Sequence, residues 1–488
     1  MSHFQRCSRR AFLDFYGDAS QQEPPSDYLL KLLRDSANHR QRVLATRSGQ
    51  QPHYPLGDWA AGASLTYQMM QEGVECIQQG VLMAQYSEAV TLLSCPDLLI
   101  KQPGSSKLGD WCYVPIAVKL GKRPKLEYQV SVVFDAYVLS TVQVASLDQA
   151  WLMLRERGLC SVDVLSVLPQ MQDVLTNCVQ TLTSSQAPDV FIARNRCNLC
   201  PWFNHCYTIA QEQQHLSLVA GITPHRYSIL QALDLTTVEA LAHTPPSVLE
   251  PLAGFGKDVA EKLVLQARSN LTQQALLRSV IPPDMATDIP TCKVELYFDI
   301  EADPDMTLDY LLGVLVVNHE TQCEQFHSFL AETPEAEYQI WTMFVDLVEQ
   351  YPDAPIFHFC PYETHTIKRL AALYDTPPAV VKRTIDRCVD LHEQVTRRVI
   401  LPIESYALKN IARWLGFNWR DPNATGAQAV CWYTQWLETG DRAYLEAIVT
   451  YNEDDCRAMY YLKNWLVSFF AQATQITPQN LQNPLLRV

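Results

Sequence analysis

The chain has 488 residues, a formal net charge of −15, 48% hydrophobic residues and 19% charged residues. This length predicts two to four domains of roughly 100–200 residues, and the composition excludes disordered and fibrous proteins. No apolar run approaches the roughly 20 residues of a membrane span, and the N-terminus lacks the apolar core of a secretory signal, so we expect no membrane partner and a cytoplasmic location. Because the net charge disfavours non-specific attraction to nucleic acid, a polyanionic substrate would need local basic patches or metal ions.

The first region, residues 1–212, is predicted to be an α/β domain that ends in a cysteine-rich segment. After an initial helical stretch, strand-like runs occur near Ala89–Ile100 and Trp111–Lys119. Fifteen cysteines without an export signal indicate reduced thiols and not a disulfide framework. Four of them supply soft ligands suited to Zn²⁺ or to an iron–sulfur cluster, and spacing alone does not choose between these; they are Cys7, Cys197, Cys200 and Cys206.

Between Cys7 and the three later cysteines lie His39, Asp97 after Pro96, and Lys119 in a basic run that leads to Gln129. This order resembles the RecB-like PD-(D/E)XK nucleases that carry an iron–sulfur cluster, with one cysteine before the nuclease core and three after it. The resemblance implies a 4Fe–4S cluster on the four cysteines, with Zn²⁺ as the alternative. It also implies a second nuclease site formed by His39, Asp97, Lys119 and Gln129.

One position of this second site departs from the family pattern. The family has an acid two residues before the motif lysine, whereas this chain has Ala117 there. Because alanine offers no oxygen to a metal ion, the site is predicted to be degenerate and the domain to bind nucleic acid without cutting it. Glu127 or Asp110 could supply the missing carboxylate from a neighbouring position.

Residues 213–275 are predicted to form a helical connector. Two pairs of short amphipathic helices alternate with glycines, a pattern that resembles helix-hairpin-helix modules, whose tight turns can present backbone N–H groups to a phosphate. A purely structural connector is the alternative. Residues 276–292 carry three prolines without an apolar period, which predicts a linker before a new α/β domain at 293–488.

The C-terminal domain carries acids at positions that suit metal binding. In the run VELYFDIEAD, residues alternate with a strand period, which places Asp299 and Glu301 on one face. Two carboxylates on one strand face repel each other unless a divalent cation lies between them. Glu363 stands at the start of a later helix, and Tyr451 and Asp455 are four residues apart on a helical stretch, so they share a face.

These pieces resemble the DEDDy exonucleases of the RNase H-like superfamily, and most closely the YprB-type domain. The motifs are Asp299-Ile300-Glu301, Tyr362-Glu363 and Tyr451-Asn452-Glu453-Asp454-Asp455; Glu363 departs from the usual aspartate. The resemblance implies 3′→5′ hydrolysis of phosphodiesters with two Mg²⁺ or Mn²⁺ ions. In this view four acids hold the metals and Tyr451 orients the attacking water; the acids are Asp299, Glu301, Glu363 and Asp455. Asp454 points to another helix face.

The predicted fold class is therefore a multidomain α/β protein: a PD-(D/E)XK-like domain, a helix-hairpin-helix connector and a mixed-sheet RNase H-like exonuclease domain. The predicted partner is nucleic acid, with DNA favoured over RNA, in repair or processing of DNA ends. Two alternatives stay open: an adaptor that binds nucleic acid with both nuclease folds silent, and nuclease activity in the N-terminal domain.

Overall fold

The computed structural model describes residues 1–278 and 289–475, and it divides the chain into two compact units. The first contains Met1–Val190 and Arg194–Tyr207, and the second contains Phe191–Ala193 and Thr208–Val488. None of the helices in the described residues has the length and apolar character that crossing a membrane requires. The two units are treated separately below.

The first unit is an α/β structure. Its elements, in chain order, are α1 (Ser2–Arg6), α2 (Ser8–Tyr16), α3 (Asp27–Ala45), α4 (Trp59–Gln71), β1 (Cys76–Gln78), β2 (Leu82–Ser87), β3 (Val90–Ser94), β4 (Leu98–Ser106), β5 (Gly109–Lys119), α5 (Leu126–Gln143), β6 (Gln149–Leu154), β7 (Gly158–Asp163), α6 (Val164–Thr183), α7 (Arg194–Cys197) and α8 (Phe203–Glu212). The predicted strand run 89–100 is interrupted, because β3 ends at Ser94 and β4 begins at Leu98.

A five-stranded sheet in the order β1-β4-β5-β6-β7 forms the core of this unit. β4 and β5 are antiparallel, whereas β5 and β6 are parallel and are joined by α5. β5 reads Tyr113-Val114-Pro115-Ile116-Ala117-Val118 without polar residues, as expected for a strand buried on both faces. The ends of β4 and β5 place Asp97, which precedes β4, beside the last residues of β5.

The second unit begins with four helices and continues into a second α/β layer. Its elements are α9 (Pro224–Ala232), α10 (Val238–His243), α11 (Pro246–Leu249), α12 (Gly256–Thr272), β8 (Leu276–Leu277), β9 (Val294–Asp303), β10 (Leu308–Asn318), β11 (Cys323–Leu330), α13 (Glu337–Gln350), β12 (Ile356–His358), α14 (Tyr362–Leu373), α15 (Pro378–Ile385), β13 (Cys388–Asp390), α16 (Leu391–Arg398), β14 (Val399–Ile400), α17 (Leu408–Trp414), α18 (Gly426–Thr439) and α19 (Arg442–Gln475).

The helices α9–α12 correspond to the predicted connector. Thr223 and Thr237 cap α9 and α10 by accepting hydrogen bonds from backbone N–H groups. Gly254 and Gly256 have φ of 78° and 66°, so the turn before α12 uses backbone conformations that favour glycine. The predicted linker 276–292 was wrong at its start, because β8 pairs antiparallel with β14; its residues 279–288 lie outside the described residues.

A five-stranded mixed sheet positions the candidate site. The strand order is β11-β10-β9-β12-β13, with an antiparallel β9-β10-β11 meander and with β12 and β13 parallel to β9. Leu296, Phe298 and Ile300 point into one apolar core, while the alternate residues face α19, which packs across β9 and β10. The strand period therefore places Asp299 and Glu301 against a helix.

Candidate active site

Three carboxylates converge where β9 meets α19. Ligand oxygens of Asp299, Glu301 and Asp455 all lie within 4.8 Å of one another, and this is the one such group within residues 1–278 and 289–475. Asp299 and Asp455 are partly exposed, whereas Glu301 is buried. The site is thus open to solvent on one side and walled by protein on the other.

Asn452 holds the two strand acids together. Its amide Nδ2 donates to Asp299 Oδ2 at 2.6 Å, and its side chain also hydrogen-bonds Glu301. Asn452 is fully buried, and it fits only because Gly313 faces Asp299 across the β9–β10 pair. A Cβ at Gly313 would lie 1.6 Å from Asn452 Oδ1, so any side chain there would displace the amide.

Asp455 receives two hydrogen bonds that fix its orientation. The indole Nε1 of the buried Trp419 donates to Asp455 Oδ1 at 2.7 Å. The Tyr451 hydroxyl, one helical turn earlier on α19, donates to the same carboxylate, as the predicted shared helix face requires. Burial and the charges of Asp455 and Glu301 raise the pKa of Tyr451, so this hydroxyl stays protonated and acts as a donor.

Glu363 lies in the first turn of α14, as predicted, and is buried. Its Oε2 has no hydrogen-bond partner among the described residues, and the nearest ring nitrogen, His358 Nδ1, is 3.5 Å away. Burial raises the pKa of Glu363, and its charge in turn raises the pKa of Asp299. Glu363 therefore lies close enough to act on the three-acid group, although its oxygens do not belong to it.

A polar network around the buried carboxylates of Asp309 and Glu337 fixes the start of α14. The Tyr362 hydroxyl donates to Asp309 Oδ1 at 2.9 Å, and Arg369 bridges Asp309 and Glu337. The Glu337 carboxylate also accepts the backbone N–H of Asp309 at 2.8 Å and the Tyr374 hydroxyl at 2.7 Å. Because Tyr362 immediately precedes Glu363, this network anchors the helix head that carries the fourth acid.

Residues 296–467 match the RNase_H_2 family model of the RNase H superfamily. The match indicates an RNase H-like domain in this part of the chain. A search of curated proteins found none that matches the chain. The family match supports a nuclease-type hydrolase acting on nucleic acid, because that superfamily hydrolyses phosphodiester bonds.

The acids of the RNase H-like domain suit divalent cations. Burial raises the pKa values of Asp299 and Glu301 well above their usual range, and the charge of Asp455 raises both further. Burial also raises the pKa of Asp455 to about 7. Hard oxygen ligands at this spacing, together with the unpartnered Oε2 of Glu363, are the chemistry that Mg²⁺ and Mn²⁺ require.

Because folding raises these pKa values, we expect the metal-free protein to become less stable as pH rises. A carboxyl whose pKa is raised by folding contributes stability at low pH, and that contribution is lost as pH rises through the folded pKa, about 7 for Asp455. We expect the melting temperature in chelator to fall by several degrees between roughly pH 5 and pH 8. Mn²⁺ should raise it most at the higher pH, because binding needs ionised ligands.

Differential scanning fluorimetry across this pH range, with chelator and with Mn²⁺, measures the effect. A melting temperature in chelator that rises steadily between roughly pH 5 and pH 8 would contradict the raised pKa values assigned to the three acids.

Asp454 and Asp455 have different surroundings, although they are neighbours in the sequence. Asp454 Oδ1 is 2.8 Å from Arg420 Nε, and Asp454 Oδ2 accepts the backbone N–H of Arg420 at 2.8 Å. Asp454 is therefore engaged on another side of α19, as predicted, and its charge is already compensated.

Lys409 is a cation at the edge of the site, and the sequence motifs gave it no role there. Its Nζ lies 5.5 Å from the Trp419 ring centroid and 6.0 Å from that of Tyr451, and it donates to the Ala424 carbonyl. Burial lowers the pKa of Lys409, while Asp455 opposes that shift. His358, Trp419 and Asn452 were likewise predicted to have no role; Asn452 had a signal, since it is three residues from Asp455 on one helix.

The first unit brings the four cysteines that were predicted as ligands into one region. Cys7 caps α2, Cys197 ends α7, and Cys206 lies in α8. Burial, with the nearby Cys197 and Cys7, raises the pKa of the Cys200 thiol to about 11. Burial also raises the pKa of Cys206, and Cys7 contributes to that shift. The four thiols thus interact. Between Cys200 and Cys206, the indole Nε1 of the buried Trp202 donates a hydrogen bond to Asp14 Oδ1 at 2.8 Å, which connects this segment to α2.

The predicted second nuclease site is assembled only in part. Asp97 Oδ2 accepts the Val118 N–H at 2.7 Å, and Arg40 Nε lies 2.7 Å from Asp97 Oδ1. Lys119 ends β5, and the buried His39 lies on α3, which packs against β5. Gln129 instead donates to the Pro124 carbonyl at 2.8 Å, so its amide is used locally.

The two acids considered as substitutes for the one missing at Ala117 are placed elsewhere. Asp110 is seven residues away near the start of β5, which is about 23 Å along a strand. Glu127 lies 3.3 Å from Arg6. Asp110 therefore does not reach the end of β5 where Lys119 lies, and the Glu127 carboxylate is engaged by Arg6.

Proposed function

We propose that the RNase H-like domain is a 3′→5′ exonuclease that hydrolyses phosphodiester bonds in DNA, or in RNA, with two divalent cations. The observation that carries the proposal is the Tyr451 hydroxyl bonded to Asp455 inside a group of three carboxylates. A cluster of carboxylates occurs in many kinds of metal site. The neutral Tyr451 hydroxyl, held in place beside this cluster, adds a hydrogen-bond donor for a water molecule.

In this proposal Asp299, Glu301, Glu363 and Asp455 hold the cations. Bound divalent ions would lower the pKa of a water molecule and stabilise the charge that develops on the phosphoryl and leaving oxygens. Asn452 keeps the two strand carboxylates oriented, and Trp419 does the same for Asp455. These hydrogen bonds matter because carboxylates that are already oriented lose little conformational freedom when a cation binds.

Tyr451 and Lys409 contribute to the reaction from the other side of Asp455. The hydroxyl of Tyr451 orients the attacking water, and the carboxylate it contacts limits its rotation. The ammonium of Lys409 supplies positive charge near the ring of Tyr451, where a substrate phosphate would be attracted.

Replacing Tyr451 with Phe should lower kcat by about 10²-fold, because one oriented donor is lost from the reacting water. Mn²⁺ affinity should change little, since the four carboxylates remain. Steady-state kinetics and calorimetric Mn²⁺ titration of the variant measure the two effects. If Mn²⁺ affinity fell by the same factor as kcat, the role of the Tyr451 hydroxyl would be to hold Asp455 and not to orient the water.

The exonuclease polarity is tested with purified full chain, Mg²⁺ or Mn²⁺, and single-stranded DNA and RNA labelled at the 5′ end. The expected result is a ladder that shortens from the 3′ end and is blocked by a 3′-terminal phosphorothioate. Products cut internally from a blocked substrate, or no metal-dependent products at all, would contradict the proposal.

The first unit has a different proposed role. We infer that it binds nucleic acid and that Cys7, Cys197, Cys200 and Cys206 hold a 4Fe–4S cluster between its first and last helices. Support comes from the mutual effects of these thiols, whose soft sulfur atoms suit iron. A brown preparation that contains iron and sulfide under anaerobic conditions, and loses both in Cys200→Ser, is expected; a colourless zinc protein would replace this assignment.

A further inference from the structure

One edge of the sheet in the RNase H-like domain is formed by β11, a strand of eight residues. Within the described residues β11 pairs only with β10, along its whole length and without a bulge. The opposite edge strand, β13, has three residues. Proteins protect exposed edges by shortening the strand or by placing proline, lysine or a bulge in it, and β11 has none of these features.

The direction of the backbone groups along β11 follows from one hydrogen bond. The N–H of Ala331, the residue after β11, donates to the Tyr310 carbonyl at 2.7 Å and continues the β10–β11 register. Because these groups alternate in direction along an antiparallel strand, every second residue before Ala331 turns its N–H and C=O away from β10. Within residues 1–278 and 289–475 these outward groups have no hydrogen-bond partner; they belong to Glu324, Phe326, Ser328 and Leu330.

A cleft of about 710 Å³ lies beside the C-terminal half of β11, between α13 and α19. Phe344 of α13 stacks on Phe298 of β9. Asn452 of α19 bonds Asp299, the next residue of β9, so the two helices lie on opposite faces of the sheet. A cleft lined by both helices and by β11 therefore opens at the outer edge, and together with β11 it is called the edge groove. Its apolar lining includes Leu330, Ile340, Met343, Leu445 and Val449.

Three charged side chains also line the cleft. Arg442 donates two hydrogen bonds to the Glu332 carboxylate, at 2.8 Å and 3.3 Å. Glu446 is exposed one turn further along α19, and it forms no salt bridge within the part of the chain that the structure describes. The cleft therefore carries an excess of negative charge. A complementary ligand has an apolar side chain with a positive charge beside it.

We propose that the edge groove binds an extended segment of a partner protein, which adds a strand beside β11 and places a large apolar side chain, next to a lysine or arginine, in the cleft. Main-chain hydrogen bonds to the outward groups of β11 would hold the segment, and the cleft would select its side chains. The ligand is a polypeptide because an extended backbone supplies donors and acceptors at the spacing of a strand.

A second copy of the chain is the competing occupant. Two β11 edges would pair around a two-fold axis, so each edge groove would meet the same excess of negative charge. Each chain also carries a net charge of −15. A basic segment of another protein meets no such repulsion, and we therefore assign the edge groove to it.

The test measures binding of synthetic peptides to the full-length chain by fluorescence anisotropy. The probes have the length of β11 and alternate leucine with threonine, and they are flanked in one set by arginine and in the other by glutamate. Ser328→Pro removes one outward N–H and keeps the bonds to β10, because an edge strand tolerates proline where its N–H faces solvent. We expect it to weaken the arginine peptides by at least about tenfold, whereas Ser328→Ala, which keeps the N–H, should change their affinity by less than about twofold.

Glu446→Lys tests the charge preference. It should weaken the arginine peptides and strengthen the glutamate peptides, each by about threefold, and a loss of folding cannot produce such a reversal. The proposal is overturned by absence of binding at millimolar peptide, by arginine peptides that bind folded Ser328→Pro as they bind the parent, or by equal affinities of the two peptide sets. A parent chain that sediments as a dimer and becomes a monomer in Ser328→Pro would also overturn it, since a second copy would then occupy the edge groove.

Discussion

Asp299→Asn will abolish metal-dependent hydrolysis, with an expected loss in kcat of at least about 10³-fold. The substitution removes one negative charge from the acid group and replaces a carboxylate oxygen that the cations need. The metal-free variant should nevertheless melt at a higher temperature than the parent, because the pKa of Asp299 is raised by burial and by three neighbouring acids. Loss of activity with gain of stability is a combination that misfolding cannot produce.

The measurement pairs single-turnover cleavage of a labelled oligonucleotide with melting curves in chelator. Asp346→Asn is the matched control, since Asp346 is an exposed acid on α13, and it should change neither quantity. Cleavage by Asp299→Asn at the rate of the parent would exclude Asp299 as a ligand. A lower melting temperature in chelator would show that the acids do not repel one another in the folded state.

Much of this acid group could be predicted because its members follow local periodicities. The strand period of β9 separates apolar residues from acids, and the helix period of α19 places Tyr451 beside Asp455. Glu363 stands at a helix start, which a short strand followed by a helical pattern indicates. Each of these relations spans at most a few residues, so the sequence alone specifies it.

The residues that support the acids could not be predicted in the same way. Trp419 reaches Asp455 from a loop 36 residues earlier, and Lys409 reaches it from another helix. Gly313 carries no sign of its role until β10 is aligned with β9 and Asn452 is placed behind it. These contacts depend on tertiary packing, which no local period encodes.

In the first unit, too, residues that are close in the sequence are not always close in the fold. Asp110 and Glu127 are the acids near Ala117 in the sequence, yet a strand carries its residues away from one another by about 3.3 Å each. Proximity in the sequence was therefore a poor guide to proximity at this site.

A buried ion pair connects β9 and α19, the two elements that carry Asp299, Glu301 and Asp455. Lys463 on α19 donates to Glu295 Oε1 on β9 at 2.6 Å, and both side chains are almost fully buried. Tyr297 and His319 also contact the Glu295 carboxylate, at 2.7 Å and 3.0 Å. Burial raises the pKa of Glu295, but these hydrogen bonds outweigh it and leave the pKa below its usual value.

Lys463→Met should destabilise the second unit by about 3–5 kcal/mol, because it leaves the Glu295 charge buried without its ammonium partner. The melting temperature should fall by on the order of 10 °C. Adding Glu295→Gln should recover part of the loss, since a neutral amide needs no counter-charge and still accepts the Tyr297 hydroxyl. Lys382→Met, which breaks the exposed pair with Asp386, should cost under about 1 kcal/mol.

Chemical denaturation of the parent and these three variants gives these free energies, and the pH dependence separates this pair from the acids around Asp455. The pKa of Glu295 is lowered by folding, so its contribution is present at neutral pH and is lost as pH falls through the folded pKa. The pKa values of the acids around Asp455 are shifted in the opposite direction, upward, by folding. These acids therefore destabilise the metal-free fold as pH rises through about 7. A Lys463→Met effect equal to that of Lys382→Met would mean that β9 and α19 are held by apolar packing alone.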